Sequence, residues 1–224
     1  MTSLRTILLL AGKDLRIEAR SRQTLALVIV LGLLIVVVLG LGLASGGKTS
    51  PAAATAILWV AYLFGGVLCF EKTMAVERHD AALAALLAAP IDRGLIYVAK
   101  LLANLVLMLA LAAVVTPAAI VLFDFDLSAA PLGFAAVTLL GMLGFAAVGT
   151  LFAAVVSSTR LQGGLLAMMV FPVCLPLVVA STQIMIRLFA EGQALTGEDL
   201  GLLAAFDAVY LVSSWLMFEK VLEP

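Results

Sequence analysis

An all-α membrane protein with six transmembrane helices is the fold class predicted by this 224-residue sequence, and two observations lead to it. First, hydrophobic residues make up 64% of the chain and charged residues 12%, against roughly 45–50% and about 25% in a soluble domain. Second, the apolar residues fall into long charge-free runs: 24–44, 52–70, 101–123, 131–156 and 161–186. Each is close to the roughly 20 residues needed for a helix to cross about 30 Å of hydrocarbon. A sixth run, 200–218, contains Asp207. Helices are required because backbone groups in lipid must be satisfied within the segment. The runs are too long and too little alternating for barrel strands.

The elements follow in order within one transmembrane domain, 1–224. Residues 1–22 predict an interfacial helix. Leu4, Ile7, Leu8, Ala11 and Leu15 recur at helical spacing, and Arg5, Lys13, Arg16 and Arg20 lie elsewhere on the wheel. A basic amphipathic helix of this kind lies in the membrane surface. Spans are expected at about 24–45, 52–75, 98–123, 131–157, 161–186 and 200–219. Between the second and third, Glu71, Lys72, Glu77, Arg78, His79 and Asp80 precede an apolar stripe of Leu83, Leu86 and Leu87. Pro90 stops the helix, because the residue before a proline is pushed out of the α region. Residues 76–90 therefore read as a short amphipathic helix along the membrane surface, either a solvated loop helix or a docking helix for a cytoplasmic protein. Pro172 and Pro176 predict a kinked fifth span, with 182–192 (TQIMIRLFAEG) as a separate short outer helix. A carboxylate within a span is costly and marks a functional hypothesis. The favoured reading of Asp207 is milder: GEDLGLL forms an outer helix and the sixth span starts near Asp207, at its positive N-terminal end.

Orientation follows from the basic residues. Arg5, Lys13, Arg16, Arg20, Arg22, Lys72, Arg78, Arg93, Lys100, Arg160 and Lys220 fall on one side of this layout, and only Lys48 and Arg187 on the other. The positive-inside rule puts both termini in the cytoplasm. The first span is too long for a typical signal-peptide core.

Residues 42–49, GLASGGKT, match the phosphate-binding spacing G-x-x-x-x-G-K-[ST] through Gly42, Gly47, Lys48 and Thr49, and AIVLFD ends at Asp124 as a magnesium-binding strand would. Both fall on the outer side of the layout. A phosphate loop also needs a strand before it and a helix directly after it, whereas this one follows an apolar span and precedes Pro51. The match is a coincidence of a Gly- and Ala-rich chain, and the segment is a turn between two helices.

Other chemistries find little support. Cys69 and Cys174 lie inside apolar runs and read as packing residues. The lone histidine, His79, is misplaced for a serine hydrolase, and zinc ligands are not clustered. Five spans lack the midplane ionisable groups usual in secondary transporters.

Glu71-Lys72, Asp80, Leu83, Leu86, Pro90 and Lys100, with Ile57-Leu58-Trp59-Val60 in span two and Phe171-Pro172 and Leu175-Pro176-Leu177 in span five, resemble the coupling region and layout of export-type ABC transporter permeases. The closest resemblance is to the haem exporter protein B family of cytochrome c maturation systems, over nearly the whole chain, with a departure at Ala81, where that family usually has glycine. The resemblance implies an ABC-2-type permease in a bacterial inner membrane, itself not an enzyme. A separate cytoplasmic ATPase would dock on Glu71, Lys72, Glu77, Asp80, Leu83, Leu86, Leu87 and Pro90. Further implied partners are the haem-handling C component, the small D component and a periplasmic haem carrier, with no nucleic acid. ATP would bind the partner subunit and haem would be handled by the complex. Iron in haem takes His, Met, Cys or Tyr ligands. His79 lies on the cytoplasmic side, and Cys174, Met168, Met169 and Met185 read as packing residues, so the chain is expected to bind no cofactor. A permease for a lipid, drug or polysaccharide and a passive scaffold for the haem-handling partner remain alternatives.

Overall fold

The computed structural model describes residues 3–43, 49–79, 92–124, 126–158 and 164–221. Its helices are α1 (Ser3–Ser21), α2 (Gln23–Leu43), α3 (Pro51–His79), α4 (Arg93–Phe123), α5 (Pro131–Ser158), α6 (Leu165–Phe189) and α7 (Gly197–Val221), with a 3-10 turn at Leu127–Ala129. Six of them, α2 to α7, are long and apolar enough to cross a membrane, and no strand occurs among the described residues.

Local chemistry sets the helix ends. Arg22, at φ 54°, separates α1 from α2. Ser50 Oγ accepts from the amide of Ala53 at 3.2 Å, and Pro51 takes the first position of α3, where its missing N–H costs nothing. Asp92 caps α4 by accepting from the amide of Gly94 at 2.8 Å, and Asp124, in the left-handed region, closes it. Thr196 and Asp199 form a reciprocal capping box at the start of α7: Asp199 donates its amide to Thr196 Oγ1 at 3.2 Å, and Thr196 donates its own to Asp199 Oδ2 at 3.2 Å. Arg187 pairs with the same carboxylate, which fixes the α6–α7 connection.

The bundle is built around α3 and α5, the most buried helices, while α2 and α7 are peripheral and face outward over most of their surface. Helix α2 packs on α3 and α4, and α7 packs on α5 and α4. Gly66 and Gly149 let α3 and α5 approach. A Cβ at Gly66 would fall 2.4 Å from the ring of Phe145, and one at Gly149 would fall 2.1 Å from the ring of Phe70. The two rings meet edge-on at 5.2 Å. Gly149→Ala should therefore cost about 1–3 kcal/mol through overpacking, read as earlier thermal unfolding in detergent; an unchanged transition would mean the two rings shift freely.

The helix of the third span starts at Arg93, where Asp92 caps it, so Lys100 lies two turns inside α4. Two expectations are corrected. The segment 182–192 is not a separate outer helix: α6 continues through both prolines to Phe189 and ends where Ala190 and Glu191 bond Ile186 O and Gly192 adopts φ 64°. Tyr210 donates to Val173 O at 2.7 Å, tying α7 to the stretch between the prolines. Finally, GEDLGLL is not separate from the sixth span. The capping box starts α7 at Gly197, and Asp207 falls in the middle of the helix. Gly42 lies in the last turns of α2, so the segment before the phosphate-loop-like spacing is helix rather than strand.

Candidate functional site

Residues that could receive a partner cluster at the end of the bundle that carries both termini. Helices α3 and α4, 29 and 31 residues long, span about 44 and 46 Å, more than the roughly 30 Å of hydrocarbon. Both therefore run past the bilayer, and the segment that joins them at this end is 80–91. Of the expected docking residues, Glu71 is half-buried and Lys72 exposed on α3, and Glu77 lies in its last turns. Asp80, Leu83, Leu86, Leu87 and Pro90, with the 76–90 helix beyond His79, lie outside the described residues.

Next to that segment stands a polar layer. Lys100 Nζ pairs with Asp14 Oδ2 at 2.7 Å, with side chains only 6% and 11% exposed. One turn further along α4, Asn104 Oδ1 accepts from Thr73 on α3 at 2.9 Å, and Asn104 Nδ2 donates to Thr150 on α5 at 3.0 Å. Tyr97 donates to Ala147 O at 3.1 Å. On α1, the buried Glu18 accepts from the amide of Leu25 at 2.7 Å, which satisfies an otherwise orphaned donor in the first turn of α2. The first three turns of α4 are thus fastened to α1, α3 and α5 at once. A buried ion pair is held by geometry and by the cost of leaving either charge alone, so Asp14–Lys100 makes α1 part of the bundle. On α1, Ala11 is buried and Leu15 packs against the core, whereas Leu4 and Leu8 are exposed, 67% and 59%.

Sequence reasoning did not find this layer. Lys100 and Asn104, four residues apart on one face of an apolar helix, were a readable signal. Thr73, Thr150 and Asp14 carried none, since helical spacing does not say which helix a side chain meets.

Ligands for a metal are sparse. Among the described residues no group of three or more His, Cys, Asp or Glu could hold an ion. Cys69 and Cys174 are buried, Met185 Sδ accepts from Trp59 Nε1 at 3.3 Å, and Met168 points out of the bundle, 76% exposed. A second polar position sits deep in the bundle. Asp207 is 4% exposed, and its Oδ1 lies 2.3 Å from where a Gly144 Cβ would be.

Residues 5–222 match the family described as CcmB protein. A comparison with curated proteins found no match.

Proposed function

The chain belongs to the CcmB protein family, and from that premise we propose that it couples ATP hydrolysis on a separate cytoplasmic subunit to haem transfer or carrier release at the outer side. Family membership and the six apolar helices make it a multi-pass membrane permease of haem transport in cytochrome c biogenesis. The finer reading puts both termini and segment 71–92 in the cytoplasm of a bacterial inner membrane, following the eleven basic residues on that side. The ATPase docks on Glu71, Lys72, Glu77, Asp80, Leu83, Leu86, Leu87 and Pro90. The C component, the D component and a periplasmic carrier complete the assembly, and haem is its substrate.

One observation carries the coupling. Segment 80–91 leads directly into Asp92, the cap of α4, and the next turns of α4 hold α1 through Lys100, α3 and α5 through Asn104, and α5 again through Tyr97. A displacement of the docking segment therefore reaches four helices through short, buried contacts. The engagement of Met185 with Trp59 and the burial of both cysteines favour a division of labour in which a partner holds the iron and this chain transmits movement. ATP turnover and co-purifying pigment, measured on the detergent-purified complex with and without this chain, test the proposal. The ATPase should stay with the membrane components, and turnover should respond to haem, only when the chain is present. Identical behaviour in its absence would reduce it to a scaffold, and a response to some other amphiphile would make it a permease for that compound.

A further inference from the structure

The α5–α6–α7 junction contains polar atoms that the bundle leaves without partners. Asp207 lies ten residues into α7, about 15 Å along the axis, near the middle of a hydrocarbon layer about 30 Å thick. It is 4% exposed and lies against the Gly144 backbone, and among the described residues neither carboxyl oxygen has a hydrogen-bond partner of normal geometry. Ser181 on α6, fully buried, has an unpartnered Oγ facing Gly141 on α5, one turn from the Gly144 that faces Asp207. Thr138, a further turn toward the end opposite the termini, has an unpartnered Oγ1.

Among the described residues, no charged side chain answers Asp207 from the packed elements. Helix α5 has no titratable residue. On α6, Cys174 is neutral packing and Arg187 pairs with Asp199. On α4, Tyr97 donates to Ala147 O, Lys100 pairs with Asp14, and Arg93 starts the helix at the end bearing the termini. On α7, Tyr210 donates to Val173 O, and Glu198 and Lys220 lie at the two ends of the helix. An ionised carboxylate with neither cation nor donor is neutralised rather than tolerated in such surroundings. A metal ion would require about six oxygen ligands, more than one carboxylate and two hydroxyls supply.

We propose that this junction is a proton-binding site: a carboxyl oxygen of Asp207 takes a proton from water as an O–H, and Ser181 and Thr138 mark the route by which water reaches it from the end opposite the termini. The proposal is independent of haem, and its readout is spectroscopic. Infrared spectra of the full chain in lipid, with aspartate carboxyls carrying carbon-13, should show a protonated-carboxyl band at neutral pH that is missing in Asp207→Asn. Ser181→Ala should keep the band and slow its shift in heavy water at least threefold. Should Asp207→Asn not accumulate, Asp207→Glu decides: its carboxyl carries no carbon-13, so the labelled aspartate band at neutral pH should vanish, and a band that stays belongs to another aspartate and overturns the site. No band at neutral pH would overturn the site, and unchanged exchange in Ser181→Ala would overturn the route.

Discussion

Lys100→Ala should destabilise the chain by about 3–5 kcal/mol, the usual cost of removing one partner from a buried ion pair. Among the described residues Asp14 would then retain only Lys13, at 3.4 Å and with a side chain 39% exposed, a contact of the solvated kind that contributes about 0–1 kcal/mol. The loss should appear as a lower unfolding temperature in detergent and as release of α1, detected by faster proteolysis between α1 and α2. Asp14→Asn together with Lys100→Met removes both charges and should recover most of the stability. If the single and double variants behave alike, the pair is not what holds α1 against α4.

Leu86→Asp should release the ATPase from the membrane. A short helix seated in a groove depends on a few anchors. Each buried leucine contributes about 1–3 kcal/mol by the area it removes from water, and a carboxylate in its place would also have to be desolvated. Glu71, Glu77 and Asp80 are expected to act as rim charges of about 0–1 kcal/mol each, so Asp80→Asn should weaken docking only modestly and mostly at raised salt. Pull-down of the ATPase by wild-type and Leu86→Asp chains at matched expression measures the difference. Full retention by the variant would make 76–90 a helix lying against lipid and move the docking surface to the N-terminal segment.

The six apolar helices were legible because each span must bury its backbone bonds within an uninterrupted apolar run. The end of α6 and the start of α7 were misread because helix boundaries were placed where polar and charged residues begin. In α6, TQIMIRLFAEG does not form a separate helix; the helix of the fifth span continues to Phe189. In α7, Thr196 and Asp199 formed a legible T-x-x-D capping signal, yet Asp207 drew the predicted start of the span toward itself. The polar layer was the hardest to read. Lys100 and Asn104 stand out along α4, but their partners at positions 14, 73 and 150 come from three different helices, and periodicity in one helix does not encode its neighbours.

Docking of the ATPase requires segment 71–92 to face the cytoplasm, since a cytoplasmic subunit can reach it from one side only. Single cysteines at Thr49, Ser128 and Ala81 in a chain with Cys69 and Cys174 replaced, labelled in intact cells with an impermeant thiol reagent, measure this directly. Labelling at positions 49 and 128, with position 81 modified only after the membrane is opened, is the predicted result. Labelling at position 81 in intact cells, with 49 and 128 protected, would invert the chain and contradict docking of the ATPase on this segment.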